Sequence, residues 1–148
     1  MAANRLRDKG TRFETEVVRY LWSHGQPEAR RAAQAGAHDQ GDLHGIWGDL
    51  PASWRGIAEC KAYKEWPTQP AVMAAFRAQT FAERTNAGAT FAMLVVKRPN
   101  RGVEHAECWV TLHDLAAMRG RRQLEHEPDD VWVCMSLSDA CLLMGWSE

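Results

Sequence analysis

Apolar residues recur along the chain at spacings that predict an alternation of helices and strands. From about residue 5 to residue 24 they return every three or four positions, which is typical of an amphipathic helix. Residues 68–86 predict a second helix, ended by Gly88. Residues 90–96 are a continuous apolar run of strand length, which indicates a strand covered on both faces.

Weaker patterns predict the remaining elements. Strands are expected at residues 29–34, 42–47, 54–61, 107–111 and 132–135, and short helices at residues 112–118 and 138–144. Gly48, Asp49, Pro51 and Ser53 mark a turn that would join residues 42–47 to residues 54–61 as a hairpin. The order α-β-β-β-α-β, followed by two β-α units, predicts one mixed α/β layer domain covering residues 1–148.

The composition fits one ordinary globular domain. With 148 residues, 45% of them apolar, the chain can bury a single core. No run of about 18 apolar residues is present that could span a bilayer, so we expect no membrane partner and a cytoplasmic location. The four cysteines are irregularly spaced, and we expect reduced thiols and no zinc site.

The net charge of −1 conceals an uneven distribution along the chain. Residues 1–31 carry seven Lys and Arg against four Asp and Glu, and residues 32–103 carry eight against six. Residues 104–148 carry three against nine. The first two segments therefore suit an anionic partner better than the acidic C-terminal third, which is unsuited to phosphate contacts.

Asp42, Glu59 and Lys61 form the most informative pattern. Side chains alternate along a strand, so Glu59 and Lys61 share a face, and Asp42 at the start of the neighbouring strand could bring its carboxylate to Glu59. Two hard oxygen ligands and an ammonium suit Mg²⁺-dependent phosphodiester hydrolysis. A solvated Glu-Lys ion pair is the alternative, but the apolar neighbours Ile57 and Ala58 favour catalysis.

The first helix offers a third carboxylate. With Leu21 as the reference, a rotation of about 100° per residue places Glu14 at about +20°, within the core-facing arc, and Glu16 at about −140°, facing water. A carboxylate among core residues is costly unless it is paired or bound to a metal, so Glu14 is the functional candidate. An ion pair between Glu14 and either Lys9 or Arg30 is the alternative.

A wider set of motifs surrounds these residues: Lys9-Gly10-Thr11-Arg12-Phe13-Glu14-x-Glu16, Gly25, Arg30-Arg31, Ala35-Gly36, Gly41-Asp42-Leu43 and Glu59-Cys60-Lys61. The set resembles archaeal-type Holliday junction resolvases of the PD-(D/E)xK nuclease superfamily, and resolvase-like nucleases of actinobacterial phages. The resemblance covers roughly residues 9–112. Three features depart from it: Gly41 replaces a proline, residues 48–54 lengthen the hairpin, and the acidic tail is additional.

The resemblance implies a restriction-endonuclease-like core over residues 5–112 and a C-terminal β-α extension over residues 113–148. It implies Glu14, Asp42 and Glu59 as metal-binding carboxylates, the Cys60 carbonyl as a further ligand, and Lys61 as the catalytic lysine. The implied metal is Mg²⁺, with Mn²⁺ as a substitute. The implied substrate is branched DNA, cut by a homodimer during recombination, in the host-cell cytoplasm if the chain is phage-encoded.

DNA contacts are expected from residues around this site. The resemblance suggests Arg30 or Arg31 on the DNA backbone and Gln79 near the site. The expected DNA-binding residues are Lys9, Arg12, Arg30, Arg31, Lys64, Gln79, Lys97 and Arg98. Two other functions are open at this point: a nuclease acting on plain duplex DNA, and a nuclease-fold module that binds DNA or protein without cleavage.

Overall fold

The computed structural model describes residues 2–33, 38–48, 55–62, 69–118 and 131–146 of the 148-residue chain. Its helices are α1 (Ala2–Ser23), α2 (Pro70–Ala87), α3 (Leu112–Met118) and α4 (Leu137–Leu143), with a 3₁₀ turn at Val103–His105. Its strands are β1 (Arg30–Arg31), β2 (Leu43–Trp47), β3 (Arg55–Lys61), β4 (Phe91–Val96), β5 (Glu107–Thr111) and β6 (Trp132–Ser136). No helix in these ranges combines the length and apolarity that a bilayer span requires.

The six strands of the described ranges form one mixed sheet in the order β1-β2-β3-β4-β5-β6. β3 and β4 run parallel, and the other neighbouring pairs run antiparallel. A parallel pair requires a crossover connection, which α2 provides. The mixed α/β order predicted from the apolar spacing is confirmed.

β4 lies inside the sheet, with all six of its residues buried. Met93 and Val95 belong to the larger core cluster, together with Phe13 from α1. Leu94 belongs to a second cluster on the other face, together with Met73 from α2. The continuous apolar run of β4 is explained by helices on both faces, and the prediction of a strand covered on both faces is confirmed.

The C-terminal β-α unit shares this core. β6 pairs antiparallel with β5, so it extends the same sheet. Leu137, Ala140 and Cys141 of α4 are buried in the cluster that contains Phe13. The segment that the sequence marks as an extension therefore completes the sheet and closes the core over α1.

The ends of α2 follow from local chemistry. Pro70 stands in the first turn, where its missing N–H costs nothing. Gly88 adopts a left-handed φ of 61°, and its N–H donates to the Thr85 carbonyl at 3.1 Å. Glycine is common at this position after a helix because it has no Cβ atom to oppose the left-handed conformation. The predicted helix at residues 68–86 is confirmed to within two residues at each end.

β1 is shorter than the strand predicted at residues 29–34. Only Arg30 and Arg31 pair regularly with β2, and both are exposed. Ala29 is buried in the core, and the Ala32 N–H donates to the Asp42 carbonyl at 2.8 Å, which prolongs the contact with β2 without regular pairing. The predicted turn residues Asp49, Pro51 and Ser53, the Ala35-Gly36 motif and Lys64 lie outside the described residues.

Candidate active site

Asp42 directly precedes β2 and reaches across to β3. Leu43 pairs with Ala58 of the antiparallel strand β3, so Asp42, one residue earlier, is level with Glu59. The Cys60 N–H donates to Asp42 Oδ2 at 2.8 Å. Gly41 has a left-handed φ of 90°, and an added Cβ would lie 3.0 Å from the Ile57 side chain, so glycine is needed for this turn into β2. The hydrogen bond fixes the Asp42 carboxylate against the backbone of β3.

Glu59 and Lys61 lie on one face of β3, as strand alternation predicts. Lys61 Nζ is 2.6 Å from Glu59 Oε1, and the Glu59 residue is only 3% exposed. Lys61 Nζ also lies 5.2 Å from the Phe76 ring centroid. Glu59 and Lys61 pair with Leu94 and Val96 of β4, so these two side chains stand on the face that α2 covers.

Two side chains of α2 complete this group. Gln79 Oε1 accepts from Lys61 Nζ at 2.9 Å, and Gln79 Nε2 donates to Glu59 Oε1 at 3.1 Å. The same amide nitrogen donates to Glu83 Oε1 at 2.7 Å. Glu59 and Glu83 are near enough to affect each other's pKa, and the Oε2 atom of each is buried without a hydrogen-bond partner. Four residues from one strand and one helix thus share a single hydrogen-bonded network.

Glu83 is a site residue that sequence reasoning missed. It is 2% exposed, although it is charged. Its signal was available in the chain, because Met73, Phe76, Thr80 and Glu83 follow the 3-4-3 spacing of a core-facing helical stripe. The helical phase that places Glu14 on the apolar side of α1 thus has a counterpart in α2, where it places Glu83 on the apolar side.

The carboxylates in this group are hard to ionise. Burial raises the pKa of Asp42 to about 7, and the negative charges of Glu59 and Glu14 add to the rise. Burial likewise raises the pKa of Glu59 to about 7, aided by its contact with Glu83 and opposed by the Lys61 ammonium. Burial also raises the pKa of Glu83. A positive charge placed between Asp42 and Glu59 would relieve this repulsion.

Glu14 takes a different position from the one expected for a metal ligand. Its Oε2 atom accepts from Arg31 Nε at 2.7 Å, and its side chain is 15% exposed. The predicted alternative partners were Lys9 and Arg30, whereas the residue that pairs is Arg31. The charge of Glu14 still acts on Asp42. Among the described residues, no three His, Cys, Asp or Glu side chains come close enough together to hold a metal ion.

The other predicted site residues are dispersed around the group. Lys9 and Arg12 are exposed on α1, Arg30 on β1, and Arg98 just after β4. Lys97 lies 3.8 Å from Glu16 Oε2 and 5.7 Å from the Phe13 ring centroid. Cys60 packs its side chain against the α1 core, while its backbone lies beside Asp42. The structure brings together Asp42, Glu59, Lys61 and Gln79, and leaves the basic residues at the surface.

A polar cleft of about 490 Å³ opens beside β2 and β3. Arg30, His44 and Arg55 line it, with Trp47 and Gly88 among its walls. The Arg55 guanidinium lies 5.7 Å from the Trp47 ring centroid, and the Trp47 Nε1–H donates to Glu28 at 2.9 Å. The cleft presents two guanidinium groups on strands that also carry or border the carboxylate group.

No protein-family model, curated protein or solved structure matches this chain significantly. Asp42 and Glu59 offer hard oxygen donors, of the kind that Mg²⁺ prefers, and Glu59 Oε2 is a buried acceptor with no hydrogen-bond donor. These two residues fit a divalent cation. Glu14 would fit only after leaving its ion pair with Arg31.

Proposed function

We propose that the protein is a Mg²⁺-dependent DNA endonuclease of the PD-(D/E)xK type that hydrolyses phosphodiester bonds. The observation that carries this proposal is that the half-buried Asp42 carboxylate, at the start of β2, approaches the buried Glu59 carboxylate of β3, with the Lys61 ammonium bonded to Glu59. Burying two carboxylates costs free energy unless a cation or a proton compensates them. An ion pair with only a structural role would need one carboxylate for the Lys61 ammonium. Glu59 already fills that role, so Asp42 and Glu83 are two further carboxylates that the ion pair does not require.

The carboxylates have the role of holding the cation. Asp42 is fixed by the Cys60 N–H, which leaves its other oxygen for a ligand. Glu59 is fixed through Oε1 by Lys61 and Gln79, which leaves Oε2. Mg²⁺, when bound there, would polarise the scissile phosphate and lower the pKa of a water molecule. Because one oxygen of each carboxylate is already bonded to protein, the remaining oxygens are oriented before substrate arrives.

Lys61 has the role of positioning the nucleophile and offsetting charge. Its ammonium carries three protons, and two of them are directed to Glu59 Oε1 and Gln79 Oε1. The third is available to a phosphate oxygen or to the attacking water. A fixed ammonium near a phosphate stabilises the charge that develops on the equatorial oxygens in the transition state.

The basic surface supports DNA as the substrate. Arg30 and Arg55 line the cleft beside the strands that carry the site, and Lys97 follows β4 next to Lys61. Guanidinium groups are well suited to phosphate oxygens. Branched DNA and a homodimer are carried into the proposal by the resemblance of the motifs, since a junction presents two scissile strands and each small domain holds one site.

Cleavage of synthetic DNA by the purified protein in Mg²⁺ tests the proposal. The substrates are a four-way junction, a flap, a linear duplex and a single strand of matched sequence, each with and without EDTA. We expect metal-dependent cutting, fastest on the junction, and loss of cutting in Asp42→Ala and Glu59→Ala. If none of the substrates is cut, the proposed endonuclease activity is refuted. A junction cut no faster than duplex would refute only the preference for branched DNA.

A further inference from the structure

Glu83 is a buried acid that the proposed roles of Asp42, Glu59 and Lys61 do not use. It lies one helical turn after Gln79, so both side chains project from the same face of α2. Its Oε1 accepts from Gln79 Nε2 at 2.7 Å, which is the shorter of the two bonds that this nitrogen donates. A residue kept only for packing would fill the space without the cost of desolvating a carboxylate.

The two ends of the Gln79 amide are not equivalent in this network. Its oxygen faces the Lys61 ammonium, and its nitrogen faces Glu59 Oε1 and Glu83 Oε1. Rotation of the amide by 180° would place the NH₂ group against an ammonium and the carbonyl oxygen against two carboxylates. Each mismatch leaves a buried group without its hydrogen bond, which costs roughly 1–3 kcal/mol. Glu83 therefore contributes one of the contacts that select the observed orientation.

We propose that Glu83 is a positioning residue that sets the Gln79 amide, so that Gln79 Oε1 and Glu59 Oε1 together hold the Lys61 ammonium in the site. The proposal rests on the proposed nuclease function for its kinetic consequence, although the orientation of the amide does not depend on catalysis. Glu83 acts through Gln79 and does not contact the substrate. Its acceptor oxygen is the part that matters, because the bond to Gln79 requires an acceptor at that place.

This distinction gives a matched pair of variants. Glu83→Gln keeps an acceptor oxygen for Gln79, and its new NH₂ group can donate to the buried Glu59 Oε2. Glu83→Met has a similar volume and no strong acceptor. We expect Glu83→Met to lower kcat by about 10-fold to 100-fold with little change in KM, as for other residues that orient a catalytic group. Glu83→Gln should stay within about threefold of the wild type.

Thermal melts and a double variant separate the positioning of Gln79 from a loss of folding. Thermal melts establish that each variant is folded under the assay conditions. Gln79→Leu should slow cleavage as Glu83→Met does, and the double variant should be no slower than Gln79→Leu, because both changes remove the same contact to Lys61. Additive losses, or a Glu83→Met variant as fast as the wild type, would overturn the inference. Glu83→Gln as slow as Glu83→Met would overturn the claim about the acceptor.

A readout independent of activity keeps the inference distinct from the nuclease proposal. The side-chain NH₂ of Gln79 can be followed by ¹⁵N NMR in the metal-free protein. We expect the two proton signals of this group to be shifted from those of a free amide and to exchange slowly with solvent in the wild type and in Glu83→Gln, and to lie near the free-amide positions and exchange faster in Glu83→Met. If the wild type cuts no DNA but these signals change as stated, the nuclease proposal fails and the positioning of Gln79 stands. Unchanged signals in Glu83→Met refute the positioning.

Discussion

The backbone N–H of Cys60 donates a 2.8 Å hydrogen bond to Oδ2 of Asp42, which ties the start of β2 to the strand that carries Glu59 and Lys61. This bond gives Asp42 two duties, since one oxygen satisfies the backbone of β3 and the other is left for a cation. The two duties can be separated by substitution because they depend on different properties of the side chain.

Asp42→Asn keeps an acceptor oxygen for the Cys60 N–H and removes the charge. We expect the variant to melt within a few degrees of the wild type and to cleave DNA at least ~100-fold more slowly. Asp42→Leu also leaves the Cys60 N–H without its acceptor and should lose a further ~1–3 kcal/mol of folding stability. Single-turnover cleavage and thermal melts give both quantities. An Asp42→Asn variant that cuts at the wild-type rate would exclude Asp42 from the chemistry.

Glu14 and Glu16 offer a matched pair on α1. Glu14 is 15% exposed and acts on Asp42, whereas Glu16 is 38% exposed and lies 3.8 Å from Lys97. We expect Glu14→Gln to slow cleavage by about 10-fold to 100-fold and Glu16→Gln to leave it within about threefold. The comparison is made as a function of Mg²⁺ concentration. Equal rates for the two variants would assign Glu14 to its ion pair with Arg31 alone.

The raised pKa values of Asp42 and Glu59, both about 7, predict how stability depends on pH when no metal is bound. In the unfolded chain these groups take up protons only near their ordinary values of 3.8 and 4.5. Between those values and about 7 the folded protein binds more protons, so stability falls as pH rises through this window. In EDTA we expect a lower Tm at pH 8 than at pH 5.5.

Mg²⁺ should oppose this loss, because it compensates the same charges. We expect Mg²⁺ to raise the Tm more at pH 8 than at pH 5.5, where protons compete for the carboxylates. The double variant Asp42→Asn/Glu59→Gln should show a weaker pH dependence and little response to Mg²⁺. Differential scanning calorimetry measures all of these. A metal-free protein that becomes more stable from pH 5.5 to pH 8 would contradict the raised pKa values.

The cleft beside β2 and β3 predicts a specific effect on DNA affinity. Arg30→Ala and Arg55→Ala should each raise KM for DNA, leave kcat nearly unchanged, and reduce the slope of log affinity against log salt concentration by about 1. Arg19→Ala, on the exposed face of α1, is the control and should leave the slope unchanged. Affinities are measured by fluorescence anisotropy in Ca²⁺, which supports binding studies without Mg²⁺. Equal slopes for the three variants would show that bound DNA does not contact the cleft.

Gly45 and Gly88 provide a test of the fold alone. Both have a left-handed φ, of 74° and 61° respectively. A Cβ at Gly45 would lie 2.1 Å from the Glu28 carbonyl oxygen, whereas a Cβ at Gly88 would meet nothing within 4 Å. Gly88→Ala should cost about 1–2 kcal/mol for the backbone conformation. Gly45→Ala should cost roughly a further 1–3 kcal/mol for the clash. Urea unfolding measures the difference, and equal losses would be the contrary result.

Local periodicity was sufficient for the elements and for part of the site. The apolar run of β4 and the glycine after α2 define those elements because burial on both faces and a helix stop leave direct marks in the sequence. The alternation of Glu59 and Lys61 likewise follows from strand geometry. Such patterns describe one helix or strand at a time. They indicate which face of that element a residue occupies, but not which residue of another element it contacts.

For that reason, the contacts between elements could not be predicted from the sequence. The prediction that Glu14 lies on the inner side of α1 is confirmed, but its partner Arg31 is set by how β1 lies against the helix. Glu83 is absent from the predicted site because only the packing of α2 against β3 places it beside Glu59. The sharing of one sheet by β5 and β6 is likewise a long-range pairing.

β3 is hydrogen-bonded on both sides, to β2 and to β4, and this has an evolutionary consequence. Glu59 and Lys61 stand on a strand held by neighbours on both sides, while most of the basic residues that would meet a substrate, Arg30 and Lys97 among them, stand outside it. Substitutions and insertions at the periphery can therefore accumulate without displacing the reacting atoms. Proteins that evolve from this scaffold could therefore change their substrate far more readily than the reaction they perform on it.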